Sequence, residues 1–202
     1  MSIRERILDA TARIIREDGI AAVRTKRIAA LADCSEGSIF KHFEDKGALL
    51  AAVLTYGLPE GHALVEAGAR ARDAFDLRAG LVVLTDATRD YYRASLPMSG
   101  SALSDRGLFE RYASAHRKAG TGPHLVWERI AAYLAVQQDR GTVTRDVDVR
   151  MEAMTLAGAC QYAAWVEMIS GLDAVPYGRD FIARLVDSRI AALSPSDLDI
   201  GT

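Results

Sequence analysis

Residues 25–50, TKRIAALADCSEGSIFKHFEDKGALL, constrain the fold more tightly than any other part of this 202-residue chain. Apolar residues recur there at helical spacing, in two short runs separated by a tight polar turn. The second run is crowded with polar side chains. A pair of helices joined in this way can lay its second member in a DNA groove. No other stretch carries chemistry of comparable specificity.

The rest of the chain also has helical period, so an all-α fold is expected. Ile3, Ile7, Leu8, Ala12, Ile14 and Ile15 form an apolar stripe that stops near Gly19. Thr25 is expected to cap a second helix whose buried face is Ile28, Ala29, Leu31 and Ala32. Ser35 is expected to cap a third helix, bearing Ile39, Phe40 and Phe43, and Asp45 a fourth, bearing Leu49, Leu50, Val53 and Leu54. The run Tyr56 to Gly61 interrupts or kinks that helix. Beyond it, residues 62–75 are Ala-rich and helical. A long amphipathic helix is expected from Asp76 to Leu96, ended by Pro97, with Met98 to Ser101 as a loop. Further helices are expected over 105–119, 123–140, 148–170 and 177–193, and the tail SPSDLDIGT is expected to fray. The natural division is a compact three-helix head, residues 1–50, and an all-helical body, residues 51–202.

Composition narrows the partners. Half the residues are hydrophobic, enough for a sizeable core in one domain or two small ones. Net charge is -2. Residues 1–50 hold nine Lys/Arg against eight Asp/Glu, leaving +1 there and, by subtraction from -2, -3 elsewhere. Nucleic-acid binding must therefore rest on the placement of charge. Cys34 and Cys160 stand in no metal-like spacing and are expected to be reduced, packed thiols. The charged start MSIRERILDA lacks the apolar core of a signal peptide, and no run approaches the ~18 apolar residues of a membrane span. A soluble, cytoplasmic protein with no membrane association is expected.

A groove-reading head needs a bracing helix, cations and amides near phosphates, and a short helix presenting small or polar groups to base edges. Thr25 at a helix start can offer its hydroxyl to a phosphate. Lys26, Arg27, Lys41, His42 and Lys46 are candidate phosphate ligands. Ser35, Glu36, Gly37 and Ser38 lie where a recognition helix meets the bases. Gly37 would allow close approach. Glu36 can accept from a cytosine amino group, or repel phosphate and tune affinity. The blander alternatives stay open: helical hairpins with scattered Lys and Arg are common, and His42 and Lys46 can be solvated surface residues.

The run CSEGSIFKHFEDKGALL resembles the helix-turn-helix of the TetR family of one-component transcriptional regulators. The match is carried by Thr25, Ile28, Ala29, Ala32, Ser35, Gly37, Ile39, Phe40, His42, Phe43, Lys46, Leu49 and Leu50. The preceding RERILDATARIIREDGIAAV resembles that family's first helix and glycine turn, so the motif covers residues 4–54. The body resembles the family loosely, in helix lengths and in DRGTVTRDVD, similar to the usual turn before the penultimate helix. Two departures stand out. Phe40 takes the place of a common Tyr, so a hydroxyl that typically bonds phosphate is missing and Phe40 is expected to serve in packing. Cys34 takes the place of a small aliphatic residue.

In the body, residues 148–170 are apolar around much of the helix, and 177–193 carry Phe181, Ile182, Leu185, Val186, Ile190 and Leu193 at helical spacing. Together they can form half of a two-fold four-helix interface, or an ordinary monomer core. The resemblance implies the homodimer, and two heads need such symmetry to reach half-sites about 34–36 Å apart. Tyr91, Phe109, Tyr112, His116, Trp127, Tyr162 and Trp165 are candidate contacts for a small-molecule effector, expected to be apolar or aromatic. No cofactor and no metal site are expected, since His116 and His124 are split by Gly120 to Pro123. No catalytic motif of the GxSxG, Walker, GxGxxG or HExxH kind is present, so no enzyme is expected. The expectation is a homodimeric, ligand-responsive repressor of a pseudo-palindromic double-stranded DNA operator, with residues 46–56 as the lever between effector and DNA. The alternative is a helical ligand-binding or protein-interaction module without DNA function.

Overall fold

The computed structural model describes residues 1–73 and 76–194, the side chain of Ser101 excepted. Among these residues every regular element is helical. The fraying expected of the tail falls on residues 195–202, outside the described residues.

Ten α-helices follow in order: α1 Ile3–Asp18, α2 Thr25–Leu31, α3 Glu36–His42, α4 Lys46–Ala52, α5 Pro59–Asp73, α6 Leu77–Leu103, α7 Arg106–Ala119, α8 His124–Asp139, α9 Val149–Ser170 and α10 Phe181–Leu193. Most boundaries have a local cause. A reciprocal box between Ser2 and Glu5 starts α1, and Gly19, at φ 78°, stops it. Asp45, Asp105 and Asp148 cap α4, α7 and α9. A π-helical turn at Val53–Gly57 ends the α4 segment, and Pro59 opens α5 at the position where a missing N–H is harmless.

Several expectations are corrected. Pro97 does not end α6, which runs through it to Leu103, so Met98 to Ser101 is helix. Proline removes one intrahelical donor, and the buried side chains of Met98 and Ala102 supply tertiary packing on the far side of it. The last helix starts at Phe181, because Tyr177 takes a left-handed φ of 62° and two short 3₁₀ turns come first. Leu31, expected in the core, is 45% exposed, and Ile3 is also exposed.

The chain packs as two compact units. The first is Met1–His62 with Ala94–Gly122, and the second is Ala63–Arg93 with the chain from Pro123 on. The first thus groups α7 with the four amino-terminal helices, where sequence reading set a boundary at residue 50. Its core includes Ile7, Ile14, Ile28, Ile39, Leu49, Leu50 and Val53. The second unit is built on Leu81, Leu84, Ile130, Leu134, Leu156 and Val186. There Tyr133 lies against Gly80, where a Cβ would fall 2.1 Å from its hydroxyl oxygen, and it donates to the Leu77 carbonyl at 3.1 Å. The DRGTVTRDVD loop is held by Gln138, which donates to the Thr144 and Val147 carbonyls, each at 2.9 Å. Cys160 is buried and its thiol is pushed up to about 12, chiefly by burial, while Cys34 is half-buried.

Candidate DNA interface

The geometry of the head starts at the turn between α2 and α3. Asp33 takes a left-handed φ of 48°, which Asp tolerates better than most side chains. The Cys34 N–H then reaches back to the Ala29 carbonyl at 3.0 Å. Arg6, on α1, donates to the Ala32 carbonyl at 2.8 Å and the Asp33 carbonyl at 3.1 Å. A guanidinium therefore satisfies the carbonyl end of α2 and pins the turn that aims α3. Sequence reading missed Arg6, because its partners lie 26 and 27 residues away and no local pattern announces them.

Ile39 and Phe43, four residues apart, point into the core at 2% and 5% exposure. Phe40, a third of a turn away from Ile39, is 58% exposed, which overturns the expectation that it packs. The open face of α3 carries Glu36, Gly37, Phe40 and Lys41. Ser35 caps the helix, accepting from the Ser38 N–H at 3.2 Å, with the two hydroxyls 2.9 Å apart. Ser38 is half-buried and His42 exposed.

Thr25 is the first residue of α2, and Arg24 holds the cap position. Its hydroxyl donates to the Glu36 carboxylate at 2.5 Å, joining the first turns of α2 and α3. Lys26 and Lys41 are exposed and in no ion pair among the described residues. Arg27 is exposed but paired with Asp18. The Lys46 ammonium lies 3.5 Å from the carbonyls of both Ile20 and Val23. Burial first, and the Arg24 charge second, lower its pKa. The ten candidate residues are thus divided: seven exposed, with Thr25, Ser38 and Lys46 half-buried.

Behind the head, α4 packs on α7 within the first unit. Gly47 makes the approach close: a Cβ there would lie 2.6 Å from Arg111 Cβ and 2.7 Å from the backbone of Arg111 and Tyr112. Lys118 pairs with Glu44 at 3.2 Å, and Arg111 lies 3.9 Å from Asp45.

The seven candidate effector residues fall in both units. In the first, Phe109, Tyr112 and His116 run along α7, with the Tyr112 and His116 rings edge-on at 4.6 Å. His116 is buried, and its Nδ1 is 2.9 Å from the Thr121 hydroxyl. In the second, Tyr91 leans on Tyr92, Trp127 lies under the Arg150 guanidinium at 5.1 Å, and Tyr162 and Trp165 stand exposed on α9. A depression of about 250 Å³ between α5 and α8, lined by Val65, Gly68, Arg72, Leu125, Glu128, Arg129 and Ala132, involves none of the seven.

An all-helical body carrying a helix-turn-helix head defines a class, the DNA-binding transcriptional regulators. The model of one family of that class, bacterial regulatory proteins of the tetR family, matches residues 7–53, the helix-turn-helix head of this chain. No curated protein matches the chain. Solved structures share its fold along nearly its whole length. A protein assigned to the TetR family of transcriptional regulators, from Rhodococcus sp., is 20% identical, covers 96% of this chain and 100% of its own, and has a TM-score of 0.71. A TetR transcription regulator from Haloarcula marismortui is 23% identical over 96% of this chain and 98% of its own, with a TM-score of 0.64. The regulator FadR from Bacillus subtilis, solved with stearoyl-CoA, is 16% identical over 90% and 96%, with a TM-score of 0.60. Among the described residues no single helix is long and apolar enough to cross a membrane.

Proposed function

We propose that this chain is a cytoplasmic, ligand-responsive transcriptional repressor, binding a pseudo-palindromic operator as a homodimer. The observation that carries the proposal is the open face of α3, where Glu36, Gly37, Phe40 and Lys41 are exposed, with the Lys26 side chain also exposed on α2. Ser35, Glu36 and Ser38 meet base edges; Thr25, Lys26, Arg27, Lys41, His42 and Lys46 serve the phosphates. Lys46 and Arg27 then exchange protein partners for DNA.

The dimer face is α9. Its exposed residues Met151, Met154, Gly158, Tyr162, Trp165 and Ile169 recur every three or four positions and form one apolar stripe. That stripe supports a two-fold contact, in which Tyr162 and Trp165 would serve the dimer face rather than the effector site. Phe109, Tyr112 and His116 are the stronger effector candidates, because they lie on α7, which packs on α4. FadR of the comparison binds stearoyl-CoA; here an apolar or aromatic effector is proposed. By tilting α7 it would move α4 and the head, and a coupling of about 1–3 kcal/mol is enough for release.

Selection of binding sites from random duplex DNA, alongside gel shifts with the DNA flanking its own gene, tests the proposal. An enriched inverted repeat is the expected result. Enrichment of no sequence would leave the chain as a ligand-binding or protein-interaction module.

A further inference from the structure

We propose that Phe40 is a specificity-determining residue, whose ring meets the C5-methyl of a thymine in each half-site. The proposal rests on the DNA-binding function above. Phe40 is the one apolar group on the open face of α3, and at 58% exposure most of its ring is left to solvent. Among the described residues no other ring and no cation stacks on it, whereas Phe43, three residues on, has both His42 and Arg4 beside it. The core does not need Phe40, since Ile39 and Phe43 already fill the inner face.

A phenyl ring has no polar atom. It cannot hold a phosphate and cannot hydrogen-bond a base edge. The floor of the major groove presents one apolar group, the thymine methyl, and aromatic carbon is suited to it. The surroundings fit such a contact. Gly37, one turn earlier on the same face, leaves a gap beside the ring: a Cβ there would meet nothing nearer than the Ser35 hydroxyl at 3.8 Å. Glu36 puts a carboxylate on this face and turns it away from phosphates, towards the groove floor. Lys41, adjacent in the chain, supplies the cation for the groove edge. A lone ring among charged and polar neighbours is too small an apolar patch to dock a protein.

The test uses the full chain and the operator obtained by selection. Each thymine is replaced in turn by deoxyuridine, which deletes only the methyl, and binding is titrated for the wild type and for Phe40→Ala. One position per half-site is expected to weaken the wild type about fourfold, the effect of one buried methyl, and to leave Phe40→Ala within about twofold of its own affinity for the thymine site. Phe40→Leu, which keeps an apolar side chain, should retain part of the discrimination. Equal methyl effects in wild type and Phe40→Ala, or none in the wild type, would overturn the assignment while DNA binding stands. Selection of no sequence by the wild type would bring down the DNA-binding function itself, and Phe40 with it.

Discussion

Gly37 separates two demands that usually coincide in a glycine. Nothing inside the protein needs it: its backbone is helical, and an added Cβ has room. Glycine within a helix is less favourable than alanine by roughly 0.5–1 kcal/mol. Gly37→Ala should therefore raise thermal stability slightly while weakening operator binding, because the only partner left for that Cβ to strike is DNA. Melting curves and DNA titrations on the same variant check it; unchanged affinity would mean that the DNA does not approach the α3 backbone. The caps at Ser35 and Asp45 were legible as single residues, because capping is a local rule. Thr25 was read as a cap and lies one place inside α2, the usual slack of a boundary drawn from sequence. Arg6 was invisible, since only the folded chain brings it to Ala32 and Asp33.

At the scale of elements, the seating of α4 on α7 depends on Gly47. A methyl there would sit 2.7 Å or less from atoms that include the α7 backbone, which cannot yield as a flexible side chain can. Gly47→Ala should destabilise the protein by about 1–3 kcal/mol, the range of overpacked cores, seen as a lower midpoint in chemical denaturation. Gly100→Ala, in α6 with open space around its Cβ, is the matched control and should be neutral or mildly stabilising. Helix content followed from period and punctuation over most of the chain. It failed at Pro97, where a strong local breaker is overridden by packing that local rules do not see. It failed again at Phe40: helical spacing identifies an apolar residue but does not say which of two adjacent ones turns inward.

For the whole molecule, the proposed dimer would link assembly to reading through symmetry. Tyr162→Glu places a charge in the middle of the α9 stripe at a side chain that is 70% exposed, so the single chain should fold normally. Sedimentation should show a monomer, circular dichroism an unchanged helix content, and operator affinity should fall steeply because two heads no longer act as one ligand. A persistent dimer would move the interface off this stripe. The sequence already marked residues 148–170 as unusually apolar; what it could not mark was which apolar side chains remain outside once α9 is packed against α8.

The Thr25–Glu36 bond has a consequence for how such a protein searches a chromosome. A hydroxyl proton committed to a carboxylate is withheld from random phosphates, and the carboxylate itself repels them. Sliding contacts with unrelated sequence should thus be brief. If Glu36 reads a base as proposed, a hydrogen offered by that base would set Thr25 free to clasp the backbone, and residence should lengthen at the correct address and nowhere else.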